Sequence, residues 1–483
     1  MNLTNILVFT AFGLLFNLLI PSRWRKWTLL GSSVIAIYWM QPSSAIRNFD
    51  FWFPTASIAL TVFVWISVQK TGEKRHLATL VAAGVLCGIV LLIGLTRYLD
   101  FLCCLTPTRP PDILKIMATI SLVAAAWAVP YFFFPEKRFL STFTTLIIIV
   151  IFIILKSDPL GRSASALLRI ASGQLAELAN PLDLTWLGYS FLAFRLLHVL
   201  RDHQSGKLPH YNLPEFVTYG IFFPTYTAGP IDRSQRFSAD FREVTGPDNP
   251  ANLRDNPSFR FNGLKRILIG IFKKFVIADS LALLSVTSQN VTQIQSTIWA
   301  WALLYAFTLR IYFDFSGYTD IALGLGTLMG FKLPENFDNP YRKVNLTSFW
   351  NSWHITLAQW FRAYFFNPLT RYLRSKPDGL PAWMIIFIGQ FTTMVLIGLW
   401  HGITWNFFIW GAWHGTGLFI NNRWTAWSKP KIEARTYSRE AHLAFKFTGW
   451  LITFNFVALS WVWFSLPTIK SSLRFFGILF NVQ

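Results

Sequence analysis

Phe349-Trp-Asn-Ser-Trp-His354-Ile-Thr-Leu-Ala-Gln-Trp-Phe-Arg362, answered further on by Leu399-Trp-His401-Gly402, is the sequence on which the reading of this chain turns. Each half sets a histidine beside a tryptophan in surroundings apolar enough to be membrane. An imidazole there is poorly solvated when charged, so the neutral, proton-accepting form is favoured. Two such sites in one chain point to chemistry rather than scaffolding.

The setting is membrane along the whole sequence. Of 483 residues, 53% are hydrophobic, 17% aromatic and only 14% charged, against about 25% charged in soluble domains. Apolar runs near the ~20 residues that cross a bilayer recur throughout. They fall at residues 4–20, 27–40, 51–68, 77–95, 114–134, 139–155, 184–200, 261–284, 298–330, 383–400, 405–420 and 445–464. The expected fold is an all-α, polytopic membrane protein of roughly 11–14 transmembrane or re-entrant helices. No repeat or low-complexity tract divides it, so one membrane domain, 1–483, is expected, with variable N-terminal helices over 1–183 and a core over 184–466.

The net charge of +20 does not form a nucleic-acid footprint. Basic residues cluster in short loops between apolar runs, which is the positive-inside pattern. Arg23, Arg25 and Lys26 follow the first run, Lys70, Lys74 and Arg75 the third, Lys137 and Arg138 the fifth. That places the N-terminus outside the cell and the odd-numbered loops in the cytoplasm, with 201–207, 232–260 and 423–442 also inside. The first run lacks a basic start and a small-residue cleavage site, and reads as a retained helix. Cys87, Cys103 and Cys104 lie in or beside apolar segments with no metal spacing and read as small buried hydrophobes.

Two regions depart from simple spans. Phe222-Phe-Pro-Thr-Tyr-Thr-Ala-Gly-Pro230 is apolar but interrupted, as expected of a re-entrant turn buried in protein. Residues 341–374 mix Arg342, Lys343, His354, Gln359, Arg362, Arg371 and Arg374 with many aromatics, and fit a helix at the interface or inside the bundle. The linker 232–260 reads as a polar cytoplasmic loop.

His354, taken on a helix, has Trp350 and Ala358 as its i−4 and i+4 neighbours. It is either a functional group, with Thr356, Gln359 and Arg362 close in sequence, or a buried histidine bonded to a backbone carbonyl. His401 ends an apolar run directly before Gly402, with Thr404 and Asn406 nearby. It is either a general base facing a cavity or an interfacial anchor paired with Trp400. His414 repeats the Trp-His-Gly pattern, but on one continuous helix it would face away from His401, so it reads as structural or secondary. The remaining histidines, His76, His198, His203, His210 and His442, lie in or near predicted loops. In Tyr312-Phe-Asp314-Phe-Ser316-Gly317-Tyr318-Thr319-Asp320 the two carboxylates orient a histidine, bind a hydroxyl or pair internally, for instance with Arg310. Gly317, Gly324 and Gly326 allow close helix approach or a break. No phosphate loop, dinucleotide fingerprint, nucleophile elbow or metal-ligand spacing is present.

With these residues in view, the sequence resembles the membrane-bound O-acyltransferase family, most of all its bacterial polysaccharide-acetylating branch typified by alginate O-acetylase, with the teichoic acid D-alanyl transferase as a near relative. The resemblance is carried by Gly188-Tyr-Ser-Phe-Leu-Ala-Phe-Arg195, Phe223-Pro-Thr-Tyr-Thr-Ala-Gly-Pro-Ile-Asp-Arg233, Gly263-Leu-Lys-Arg266 with Lys273-Lys274, and the segment from Tyr312 to Gly324. It continues through Glu335-Asn-Phe-Asp-Asn-Pro-Tyr341, residues 349–362 and Gly398-Leu-Trp-His-Gly402. It implies helices arranged around a central tunnel, His401 as the catalytic residue and His354 as the second invariant polar group. It further implies Trp400, Asn351, Trp353, Gln359, Arg362, Asp314, Ser316 and Asn406 as supporting or substrate-binding positions. The donor would be a cytoplasmic acyl thioester such as acetyl-CoA, with no tightly bound cofactor and no metal. The acceptor would be an exported polysaccharide or an extracytoplasmic acetyltransferase partner, and the location the bacterial inner membrane.

The sequence departs from the family pattern at Ala363, where Asp is usual, at Trp463-Phe464-Ser465, where Phe-Phe-Arg is usual, and at Trp186-Leu187, where Pro commonly precedes Gly188. The expected activity is transfer of an acyl group, acetyl first, across the membrane to a hydroxyl. The alternatives are a D-alanyl or longer-chain transferase fed by an acyl carrier protein, a flippase for a lipid-linked sugar, and a membrane scaffold. A flippase would carry inverted repeats, and the sequence has none.

Overall fold

Apolar segments in lipid must bond every backbone N–H and C=O internally, so they fold as helices. The computed structural model describes residues 1–69, 77–99, 105–133, 137–246, 257–376, 379–433 and 438–482. Lys70, Lys74, Arg75, His76, Cys103 and Cys104 lie outside the described residues, as does part of the 232–260 linker.

In chain order the helices are α1 (Leu3–Leu19), α2 (Ser22–Met40), α3 (Phe49–Val68), α4 (Leu77–Leu95), α5 (Ile113–Phe133), α6 (Lys137–Lys156), α7 (Asp158–Ala171) and α8 (Tyr189–Gln204). There follow α9 (Leu213–Ile221), α10 (Phe223–Tyr226), α11 (Ser234–Thr245), α12 (Pro257–Ile271), α13 (Asp279–Leu283) and α14 (Thr297–Leu328). The last are α15 (Leu346–Trp350), α16 (Ile355–Phe361), α17 (Asn367–Arg374), α18 (Ala382–His401), α19 (Trp405–Glu433), α20 (Arg439–Ser465) and α21 (Ile469–Leu479). Among the described residues five helical stretches are long and apolar enough to cross a membrane, namely α3, Thr79–Tyr98, Phe139–Lys156, α18 and α20. The all-α, multi-pass expectation holds: pairing between strands is confined, among the described residues, to one bridge, Phe337 with Trp353.

The chain packs as two compact units, Met1–Ile267 with Ile321–Pro334, and Leu268–Asp320 with Glu335–Gln483. In the first, the interrupted segment after α9 is buried in protein except at half-buried Thr227 and Ala228. Phe222, Phe223 and Tyr226 are each no more than 1% exposed. The broken backbone leaves carbonyls without helical partners, and Arg195 of α8 supplies donors: Nη1 reaches Gly220 O at 3.0 Å and Nη2 reaches Thr225 O at 2.6 Å. At Gly188 the backbone is left-handed, and a Cβ would stand 2.7 Å from Tyr226 O, so only glycine fits.

Several expectations are corrected. The run expected at 27–40 starts at Ser22, and Arg25 is buried within it, donating to Ile20 O, Asn17 O and Val244 O. The 232–260 stretch is not simply a loop: α11 buries Phe237, Phe241 and Val244 and is stapled by Arg236, which pairs with Asp232 and Asp240. His198 lies inside α8 rather than in a loop, 1% exposed and accepting from the Ser234 backbone. The run expected to end at 420 continues to Glu433. Gly317 does bring helices together, since a Cβ there would meet Gly270 O at 2.8 Å, but α14 is unbroken.

In the second unit, α18 and α19 form a tight antiparallel pair. A Cβ at Gly411 would stand 2.5 Å from Met394 O, and one at Gly415 2.7 Å from the Phe391 Cα. Such small-residue seams let two helices approach without side-chain intervention.

Candidate active site

Residues 341–374 do not form the single helix expected of them. Asn345 caps α15 by accepting from the Ser348 N–H at 2.8 Å. Four residues after α15 ends, His354 occupies the N-cap of α16 with φ 42° and ψ 54°. A left-handed conformation at a residue with a side chain costs about 1–3 kcal/mol and persists only where the surroundings enforce it. The enforcement comes from residues 335–339. Phe337 bridges Trp353, Ile355 N donates to Asn336 O at 3.0 Å, and Asp338 N donates to Ser352 O at 3.0 Å. Thr356 Oγ1 adds a bond to Asn336 Oδ1 at 2.6 Å. The Glu335-Asn-Phe-Asp-Asn motif is thus the clamp that sets the histidine. Trp350 and Ala358 accordingly do not flank His354 on one helix.

His401 ends α18, and Gly402 follows in extended backbone, as the sequence indicated. His354 and His401 line one cavity of about 50 Å³, together with Trp353, Phe315, Trp350 and Phe464. The His354 ring meets Phe315 edge-on at 4.7 Å, and its Nε2 is buried with no protein partner. The His401 ring packs against Phe464 at 4.7 Å and Trp410 at 5.6 Å. Trp400 touches both histidines, with ring centroids 4.5 Å from His401 and 5.9 Å from His354. An aromatic, nearly dry wall with two imidazoles is an environment in which hydrogen bonds to a reacting group count for far more than in water.

Of the supporting residues expected, Trp353 lines this cavity and Trp400 packs on both rings. Arg362 Nη2 donates to Asn351 Oδ1 at 2.7 Å, and the pair lines a neighbouring cavity of about 190 Å³ with Thr347, Gln390 and Thr393. The two cavities share Trp350 and Ile397 as lining residues. Four others lie elsewhere. Gln359 is exposed. Asp314 pairs with Lys274 and Asp320 with Lys273, rather than either with Arg310. Ser316 is buried on α14 but does not line the cavity. Asn406 donates to Leu466 O at 2.7 Å and Ser472 Oγ at 3.1 Å, tying the start of α19 to the end of α20 and the first turn of α21.

His414 is not on the same helix as His401. It sits on α19, accepts from Trp350 Nε1 at 3.3 Å and bonds Ser460 Oγ at 2.9 Å. Sequence reasoning missed Phe315, Trp410, Trp461 and Phe464 as walls of the site. A signal existed for two of them: Trp461 and Phe464 are three residues apart on one helical run and share a face.

The family model described as MBOAT, membrane-bound O-acyltransferase family, matches residues 113–463. The chain is 33% identical over 293 residues to a teichoic acid D-alanyltransferase of Streptococcus thermophilus, covering 58% of this chain and 68% of that protein. It is 34% identical over 300 residues to a probable alginate O-acetylase of Pseudomonas syringae, covering 61% and 52%. With a peptidoglycan O-acetyltransferase of Helicobacter pylori the identity is 34% over 271 residues, covering 55% and 46%. The chain thus spans about half the length of the O-acetylating relatives it matches. A clamped left-handed histidine, a helix-ending histidine in the same cavity and a family match over most of the sequence agree, and the chain belongs to the membrane-bound O-acyltransferase family.

Proposed function

We propose that this chain is a membrane-embedded O-acyltransferase that passes an acyl group, acetyl in the first instance, from a cytoplasmic thioester to a hydroxyl of an exported polysaccharide or to an extracytoplasmic partner. The observation that carries the proposal is the shared cavity: two imidazoles, buried His354 and half-buried His401, held by different helices, line one small aromatic space. The attacking hydroxyl loses its proton to neutral His401 as its oxygen bonds the thioester carbonyl carbon. The carbon–sulfur bond then breaks, and the departing thiolate takes that proton back. His354 Nε2, without a protein partner, orients the hydroxyl or bonds the carbonyl oxygen as negative charge gathers on it. The relatives' names point the same way, since two of those above are called O-acetylases or O-acetyltransferases.

A base of this kind contributes on the order of 10²–10⁴ in rate. His401→Ala protein, expressed at the parental level, is expected to leave exported glycans without ester acetyl groups by proton NMR. Parental ester content in that variant overturns the proposal. A D-alanyl donor is the second reading, favoured by the Streptococcus thermophilus relative. It predicts D-alanine esters and co-purification with a phosphopantetheine carrier protein.

A further inference from the structure

Trp350 stands between two cavities and is fixed from behind. Its indole lines both the small histidine cavity and the larger polar one, and Ile397 of α18 is the other lining residue they share. Indole Nε1–H is a donor only. It reaches His414 Nδ1 at 3.3 Å, so that nitrogen must carry a lone pair. His414 therefore bears its proton on Nε2 and donates to Ser460 Oγ at 2.9 Å, while Ser460 Oγ donates to Val457 O at 2.6 Å. The relay is satisfied at every step and buried, with His414 1% and Ser460 0% exposed. Trp410 packs on the same imidazole at 4.9 Å and on His401 at 5.6 Å. A buried imidazole with no access to the reacting atoms is thus committed to holding one indole in place.

The size of the space behind that indole gives the arrangement its consequence. A water-sized group needs about 10–15 Å³ measured this way. The histidine cavity, about 50 Å³, therefore takes about three to five heavy atoms. An acetyl group fits. A D-alanyl or butyryl group sits at the limit, and an octanoyl chain fits only if the wall yields into the 190 Å³ space beyond it.

We propose that Trp350, locked by the His414–Ser460 relay, is the wall that keeps the transferred acyl group short, with His414 acting as a positioning residue through it. The inference rests on the acyl-transfer reading above, and the experiment separates the two. Purified full-length protein is given an oligosaccharide as hydroxyl acceptor and S-acyl pantetheine thioesters of two, four and eight carbons, pantetheine being the piece that coenzyme A and carrier proteins share. Thiol release is measured against His401→Ala background. The parental protein is expected to prefer acetyl over octanoyl by at least about 100-fold, and Trp350→Ala to lower that ratio at least about tenfold, each tenfold being about 1.4 kcal/mol of discrimination. Ile397→Ala, which opens the same partition from α18, shifts the ratio in the same direction and covers the case where the indole variant does not fold. His414→Ala also lowers the ratio, whereas His414→Gln, which keeps an acceptor and a donor, restores it. A purely structural histidine would lower all chain lengths alike. An unchanged ratio in folded Trp350→Ala and Ile397→Ala proteins overturns the wall while leaving acyl transfer intact. Absence of His401-dependent release from every thioester overturns the acyl-transfer reading and this one with it.

Discussion

His354 and His401 belong to different helices, yet Trp400 lies against both imidazoles, its centroid 5.9 Å from one and 4.5 Å from the other. One histidine is presented by a clamped left-handed turn and the other by the end of a helix. In the proposed transfer, the rigidity of both supports, not the histidines alone, would decide whether a reacting hydroxyl meets both at once. Acyl transfer is sensitive to this, because a misplacement of about 1 Å can cost 10²-fold.

The left-handed turn is testable apart from the chemistry. Asn tolerates this backbone region far better than most residues. His354→Asn is expected to express and melt within about 1 kcal/mol of the parent while losing about 10²-fold or more of the activity. His354→Ala, with no such tolerance, should melt lower than the Asn variant by about 1 kcal/mol. Thermal melting in detergent set beside glycan ester content checks both, and an active Asn variant would remove His354 from the chemistry.

The helix seam that delivers His401 should not tolerate a methyl group. At Gly398 a Cβ would collide with the carbonyl of Phe407 on α19 and approach the Gly411 Cα at 3.3 Å. Backbone cannot step aside as a side chain can. Gly398→Ala is expected to cost about 1–3 kcal/mol of stability and to lower activity more than its effect on folding explains. A melting curve and a turnover assay on the same sample decide it.

Arg195 holds Thr225 twice, Nη2 reaching both its carbonyl and its Oγ1 at 2.6 Å. Removing the guanidinium strands several buried acceptors, each worth about 1–3 kcal/mol. Arg195→Ala should therefore lose about 3 kcal/mol or more, and Arg195→Lys, a point charge without the planar fork, should recover only part of it. Denaturant titration or melting in detergent would show the order.

Asp183 anchors α7 from outside the spans, accepting from Arg169 Nε at 2.8 Å and Ser165 Oγ at 2.6 Å. Burial works to raise its carboxyl pKa, but the bonds from Arg169, Ser165 and the Asn180 backbone outweigh it and hold it below the ordinary carboxylate value. A carboxyl depressed in the folded state stabilises above its unfolded value, about 3.9, and loses that contribution as pH falls through the folded one. Asp183→Asn is thus expected to lower the melting temperature across the neutral range. Its difference from the parent should shrink below about pH 4. A difference that persists unchanged in acid would contradict the role.

What the sequence determined follows from local physics. Apolar runs of bilayer length have no alternative to helix in lipid, so the all-α, multi-pass architecture was legible. So was His401, because a histidine followed by Gly402 at the end of an apolar run marks a helix end. The interruption at Pro224 and Pro230 likewise announced irregular backbone, because proline removes the donor a helix needs.

The rest depended on contacts between residues far apart in the chain. Sequence periodicity placed His354 on a helix, but pairing with residues 335–339 overrides that preference and turns the backbone left-handed. It could not choose partners for Asp314 and Asp320, since lysines 274 and 273 reach them from another helix. Nor could it show that His414 accepts from Trp350, or that Asn406 ties the start of α19 to Leu466 and Ser472. Helical spacing fixes which residues share a face. Which faces meet, and how much space is left between them, is decided only when the chain packs.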